Sequence, residues 1–305
     1  MNRFILGILA VFFSSQLLGQ MFPLSDHYIY NLLAINPASA GCHDALSTTL
    51  SYRNQWVGFK DAPKDLILSV HAPVVHDRIG LGLLVEDNSI GIFHETSFMG
   101  NYAYRMELQD GIMSLGLAFG AARYHIAWDD LEAADSDDEL LPDYPKTEVL
   151  PNFSLGAYYY TKNYFIGISL PSFLSHEPDQ KSGKYKLKND FSNYNYFFTG
   201  GYTIGISPQI KLLPSVLIKY HPGHAVQFDS YAQVILMDRI WMGAGYRNSG
   251  MLIGMLQCQL NYQLRMAYSY DFDTSRSRQY KNGSHEVVLS YVFKYERRVK
   301  GPRQF

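Results

Sequence analysis

Short tyrosine-rich segments of alternating apolar and polar residues fill most of this chain, and the long connections between them all share one parity. An up-and-down barrel elaborated at one end produces that combination directly. The segment Gln263 to Phe272 shows the alternation. Leu264, Met266, Tyr268, Tyr270 and Phe272 fall on one face; Gln263, Arg265, Ala267, Ser269 and Asp271 fall on the other. A strand turns its side chains over at every residue, so the first face suits lipid and the second a wet lumen.

The same reading extends along the chain. Strands are expected at 45–53, 64–73, 79–88, 95–107, 112–126, 152–161, 164–170, 195–206, 210–220, 225–236, 239–247, 250–260, 263–272 and 284–294. Most have the ~9–11 residues that cross a bilayer at a tilt. Met113, Leu115, Leu117 and Phe119 stand opposite Ser114, Gly116, Ala118 and Gly120; Val287, Leu289, Tyr291 and Phe293 stand opposite Glu286, Val288, Ser290 and Val292. Even-numbered connections are short, such as Gln109-Asp110-Gly111, Lys162-Asn163 and Met237-Asp238. The second, around Val75-His76-Asp77, is slightly longer. The long connections, near 54–63, 128–151, 171–194 and 273–283, are all odd-numbered. Short periplasmic turns, long outer loops and an even strand count describe an outer-membrane barrel. A soluble sandwich or propeller would scatter long loops over both ends. This orientation places Tyr102, Tyr104, Tyr158, Tyr160, Tyr291 and Phe293 near the periplasmic interface, with Tyr270 and Phe272 near the outer one.

The expected fold class is therefore all-β: a transmembrane antiparallel up-and-down β-barrel of about 14 strands, following an N-terminal signal peptide. Asn2-Arg3 and the apolar Phe4 to Phe13 form the n- and h-regions, with cleavage expected after Gly19. Gln20 stands where a lipoprotein would need cysteine. Residues 1–19 are thus assigned to the signal peptide, 20–44 to an N-terminal segment in the periplasm or the lumen, 45–294 to the barrel, and 295–305 to a basic periplasmic tail. Beyond the leader no apolar run reaches the ~18 residues of a membrane helix. The mean hydropathy of -0.14 is compatible with a barrel, which needs only alternate residues to be apolar. Aromatics at 15%, with 24 Tyr against 3 Trp, favour that reading, because a phenol ring suits the headgroup boundary. A net charge of -2 offers nothing for nucleic acid. Cys42 and Cys258 are too few for a disulfide scaffold, and whether they pair is left open by the sequence.

Little in the chain resembles catalytic machinery. No G-x-S-x-G elbow or phosphate-binding glycine loop is present, and His285-Glu286 lacks a second histidine at metalloprotease spacing. His71, His76, His94 and His125 show no ligand spacing. The acidic run with Asp129, Asp130, Asp135, Asp137 and Asp138 offers hard oxygen ligands, yet lacks EF-hand spacing, so a solvated loop is the better reading. The next long loop carries Lys181, Lys184, Lys186 and Lys188. These opposed charges are the candidate partner-binding groups. No catalytic, metal or cofactor residues are expected.

Two further segments carry a family resemblance. Asn36-Pro37-Ala38-Ser39-Ala40-Gly41 precedes the first strand, and Tyr52-Arg53-Asn54-Gln55-Trp56-Val57-Gly58 follows it. By themselves they read as turns with an interfacial Trp. Together with Ala62-Pro63, Gly80-Leu81-Gly82-Leu83-Leu84-Val85, Asn101 to Arg105, Pro151 to Tyr159, Pro214 to Tyr220, Asp238 to Gly243, Tyr268 to Asp271 and Gly283 to Glu286, they resemble the PorP/SprF family of the type IX secretion system in Bacteroidetes. The resemblance runs in order through nearly the whole mature chain. It implies a non-enzymatic outer-membrane barrel that assists export or surface anchoring of a large secreted adhesin with a type-B C-terminal sorting domain. In some species that cargo serves gliding. The implied partners are the cargo, other type IX components and the outer-membrane bilayer. It also marks Asn36, Pro37, Gly41, Arg53, Asn54, Gln55 and Trp56 as family-motif positions. Independently of the resemblance, a barrel of about 14 strands has a lumen too wide for side chains to fill, and residues 20–44 are the nearest candidate for a plug. The alternative function is a channel for small hydrophobic molecules; inward residues such as Gln227, Asp229 and Gln233 argue against it.

Overall fold

The computed structural model describes residues 25–75, 77–127, 147–173, 175–178, 185–188, 191, 194–274 and 283–293. The expected leader at 1–19, residues 20–24, His76, the acidic run at 129–139, Lys181, Lys184 and the basic tail lie outside the described residues.

Among the described residues, seventeen strands follow in chain order: β1 (Leu46–Asn54), β2 (Lys64–Val75), β3 (Ile79–Ile90), β4 (Phe93–Leu108), β5 (Gly111–Ile126), β6 (Thr147–Tyr160), β7 (Tyr164–Leu170), β8 (Ser175–Pro178), β9 (Tyr185–Lys188), β10 (Tyr196–Tyr202), β11 (Ile204–Ser207), β12 (Ile210–Tyr220), β13 (Gln227–Leu236), β14 (Ile240–Arg247), β15 (Met251–Gln259), β16 (Leu264–Asp273) and β17 (Ser284–Phe293). Each wall strand pairs antiparallel with its sequence neighbours, and β1 pairs with β17 from Leu46↔Phe293 to Asn54↔His285, which closes the barrel. β10 and β11 are two halves of one wall strand broken at Thr203, so the barrel has fourteen strands. Closure pairs the first wall strand with the last, so the sheet as a whole has no terminal strand, the condition for a barrel to sit in lipid. β8 and β9 form a separate hairpin within the connection after β7, a segment expected only as loop. Lys186 and Lys188 lie on its second strand.

The alternation predicted for β5, β16 and β17 places their side chains as expected. Phe119, Leu117, Met266, Tyr268, Leu289 and Phe293 are exposed on the outer face, while Ser114, Ala118, Ser269, Asp271, Glu286 and Val288 are buried inside. Pro73, which has no N–H for the ladder, sits beside a register shift in β2. One aromatic assignment is corrected. Tyr102 and Tyr104 are exposed as interfacial rings should be, but Tyr158 and Tyr160 are only 2% exposed and point into the lumen. Their parity on β6 makes them inward residues, stacked on each other at 5.2 Å.

What they pack against is the chain's own N-terminal segment. Residues 26–33 and 36–42 are almost all buried inside the wall. Two short 3-10 turns, η1 (Leu32–Ala34) and η2 (Pro37–Ser39), fold this segment, and the Asn36 side chain caps the second by accepting from the Ala38 amide at 3.0 Å. Tyr28, Tyr30, Leu32, Ala38 and Cys42 share one apolar cluster with Tyr158, Tyr160, Phe165, Tyr231 and Trp241 of the wall. The core of this barrel is therefore the seam between segment and wall.

Candidate functional site: the filled lumen

At the long-loop end, inward positions of six strands converge on the start of the inner segment. Asp26 Oδ2 accepts from Arg53 Nη1 at 2.7 Å and from Ser269 Oγ at 2.7 Å, and its Oδ1 accepts from Arg247 Nη2 at 3.0 Å. The Asp26 amide donates to Glu286 Oε2 at 2.8 Å, and Ser25 Oγ donates to the other oxygen at 2.5 Å. Arg53 also binds Glu286 at 3.1 Å and pairs with Asp271; Arg247 Nε reaches Asp229 at 3.0 Å, and Lys219 stands 3.8 Å from Asp229. Four carboxylates (Asp26, Asp229, Asp271, Glu286) thus face three cations (Arg53, Arg247, Lys219), all buried. Burial would raise the Asp26 pKa, but the guanidinium groups of Arg53 and Arg247 outweigh it and hold the carboxyl well below the usual carboxylate range. Every carboxylate of the cluster has at least one cation within 3.8 Å, and removing one partner of a buried pair costs about 3–5 kcal/mol.

From Asp26 the segment descends toward the short turns, making polar contacts with inward wall groups as it goes. Tyr28 packs on Tyr231 with centroids 5.7 Å apart, and the Tyr30 hydroxyl donates to Gln233 Oε1 at 2.5 Å. The Arg265 guanidinium lies 5.5 Å over Tyr30 and 4.5 Å over Trp241. Ser69 Oγ donates to Asn31 Oδ1 at 2.6 Å, and Ser169 Oγ donates to the Ile35 carbonyl at 2.5 Å. Asn36 Nδ2 donates to the Ala157 and Ile168 carbonyls at 3.1 and 3.3 Å, so this motif residue joins two wall strands while capping its own turn. Close approach of two backbones requires Gly80 and Gly116. A Cβ at 80 would lie 2.0 Å from the Ala40 carbonyl oxygen, and one at 116 would lie 2.2 Å from the Ala38 nitrogen. The G-L-G-L strand is thus a seat for the Asn36–Gly41 motif. At the bottom, Arg105 Nη2 pairs with Asp44 at 2.5 Å and donates to the Tyr160 hydroxyl at 2.8 Å.

The second motif is divided by strand parity. Arg53 and Gln55 are buried and point inward, Gln55 donating to Asp65 at 3.0 Å, while Tyr52 is 45% exposed on the outer face. Asn54 ends β1 opposite Lys64 and His285. Trp56 turns the chain with φ +47 and its amide reaches Ser284 Oγ at 3.4 Å. Cys42 faces the lumen, whereas Cys258 sits at an outward position of β15; both are free, and the wall separates them. The sequence reading did not single out Asp26, Arg247 or Lys219. For Arg247 and Lys219 the available signal was an ionisable residue at a lumen-facing position of a membrane strand, which has to find a partner there. The proposed acidic contacts and Lys181 and Lys184 lie outside the described residues, and the side chains of Lys186 and Lys188 do as well.

The family described as type IX secretion system membrane protein PorP/SprF matches residues 18–291. No curated protein matches the chain. Among solved structures, the CymD monoaromatic hydrocarbon channel is 12% identical with TM-score 0.50, covering 91% of this chain and 95% of that one. The TodX deltaS2S3 mutant monoaromatic hydrocarbon channel is 10% identical with TM-score 0.50, covering 87% and 94%. The Acinetobacter baumannii outer membrane protein Omp33 is 7% identical with TM-score 0.48, covering 82% and 100%. At these identities the first two share the barrel fold with this chain, and no more is taken from them.

Proposed function

Since this chain belongs to the PorP/SprF family of type IX secretion system membrane proteins, we propose that this outer-membrane barrel assists export or surface anchoring of a large secreted adhesin-like protein with a type-B C-terminal sorting domain. In this reading the barrel holds its cargo through the long loops, which face the cell exterior, and works beside other type IX components. The inner segment is a plug. The observation that carries the reading is the seating of residues 26–44 inside the wall, pinned by Asp26 at one end and Asp44 at the other. A barrel whose lumen is occupied by its own chain is suited to docking, and loops on a rigid scaffold are where recognition is placed.

A channel for small hydrophobic molecules would call for an apolar passage. The inward Gln227, Asp229 and Gln233 are instead buried polar groups, and Gln233 is engaged by Tyr30 of the segment. The test is to shorten the loops at 128–146 and 174–193 together. The expected result is a heat-modifiable, membrane-inserted barrel with a large protein missing from the cell surface. Normal surface display would overturn loop docking, and lost small-molecule uptake with intact display would favour the channel.

A further inference from the structure

We propose that Cys42, His43 and His71 form a zinc site that ties the lower end of the inner segment to the wall. One ligand atom from each lies within 4.8 Å of the other two. A sulfur and two imidazole nitrogens suit a borderline-soft transition metal and not calcium or magnesium. Cys42 and His43 belong to the inner segment and His71 to β2, so the ion would bridge elements that otherwise meet through neutral contacts.

The surrounding hydrogen bonds define what each ligand has to offer. Ser47 Oγ donates to the Ala45 carbonyl at 3.4 Å and lies 3.1 Å from His43 Nδ1. In the tautomer with the proton on Nδ1, donating to this hydroxyl, the His43 Nε2 lone pair is left for a metal, the usual outer-shell arrangement. His71 Nδ1 accepts from the Gly41 amide at 3.1 Å. That same lone pair is the one zinc would take, so the ion competes with a single backbone N–H. Ligands on a tetrahedral zinc stand roughly 3.5 Å apart, so the three need to close by about an ångström.

The electrostatics cut both ways. Arg105 and Arg265 are nearby cations, and Asp44 is the nearby anion. Metal binding would release the Cys42 thiol proton and leave a thiolate that offsets one charge of the ion. Cys42 and His43 stand far from His71 in sequence and on different elements, and folding alone brings them together.

The experiment uses the full barrel, extracted in detergent, stripped with EDTA and titrated with cobalt and then zinc. One cobalt per barrel is expected, with the intense visible bands of a tetrahedral site and a thiolate charge-transfer band, both bleached by zinc. Cys42→Ser should abolish the charge-transfer band and Cys258→Ser should leave it intact. Loss of an outer-shell partner costs about 10–100-fold, so His43→Gln or His71→Gln should weaken zinc binding at least about 100-fold. A wild-type barrel that stays heat-modifiable on gels but shows no thiolate band overturns the proposal. So does a band that survives Cys42→Ser in a folded barrel.

Discussion

Asp26 Oδ1 lies 3.0 Å from Arg247 Nη2, both side chains wholly buried, although 221 residues separate them in the chain. This contact joins the first described turn of the inner segment to β14, a wall strand late in the chain. Arg247 has a second carboxylate partner on the wall, Asp229 at 3.0 Å, whereas every ion-pair partner of Asp26 belongs to the wall.

Asp26→Asn should therefore loosen the segment without dissolving the barrel. Weakening a buried charge pair costs about 3 kcal/mol, which raises the unseated population roughly a hundredfold. Single-channel recording in planar bilayers should show frequent openings that the wild type lacks, with the heat-modifiable band unchanged. A silent variant would mean that the apolar seam alone holds the segment.

Gly116→Val should have the same effect by a different route. Its side chain would occupy the place of the Ala38 backbone, 2.2 Å from its nitrogen, and neither backbone can yield cheaply. Gly254→Val is the control, since a Cβ there meets nothing within 4 Å. Increased sensitivity to bulky antibiotics in the first variant, and not in the second, is the expected outcome.

Deleting Asn36 to Gly41 removes the capped turn and its hydrogen bonds to Ala157 and Ile168. Conductance should rise at normal barrel levels. Unchanged permeability would mean the segment does not limit passage.

Cysteines introduced at Ser136 and Gly183 should label with a membrane-impermeant reagent on intact cells, and one at Asn163 should not. Asn163 lies in the short turn between β6 and β7, at the opposite end from both loops. Labelling confined to Asn163 would invert the barrel.

Neutralising Lys181, Lys184, Lys186 and Lys188 together should weaken cargo retention in a salt-dependent way. Exposed charges are screened beyond about 10 Å at 0.1 M salt. Immunofluorescence of the surface protein across a salt series measures it, and retention indifferent to both charge and salt would move the contact away from this loop.

Much of the wall could be read directly. Leu117 and Phe119 against Ser114 and Ala118, or Met266 and Tyr268 against Ser269 and Asp271, declare two faces, because a membrane strand has lipid on one side and the lumen on the other. The break at Thr203 and the β8–β9 hairpin carry no such period and were not visible. Tyr158 and Tyr160 were misplaced because a tyrosine near a strand end satisfies the girdle pattern whichever way it points.

The sequence by itself determined the closed antiparallel wall and its strand boundaries to within a few residues. Each of these follows from a local period of two and from local turn chemistry. Only the tertiary structure decided what the interior is for. The partners of Asp26, the glycines beneath Ala38 and Ala40, and the meeting of Cys42 and His43 with His71 depend on closing the wall around the chain's own N-terminal segment. No period encodes a contact across a lumen. Ion pairing, close backbone approach and ligand convergence act over a few ångströms of space, whatever the separation along the chain.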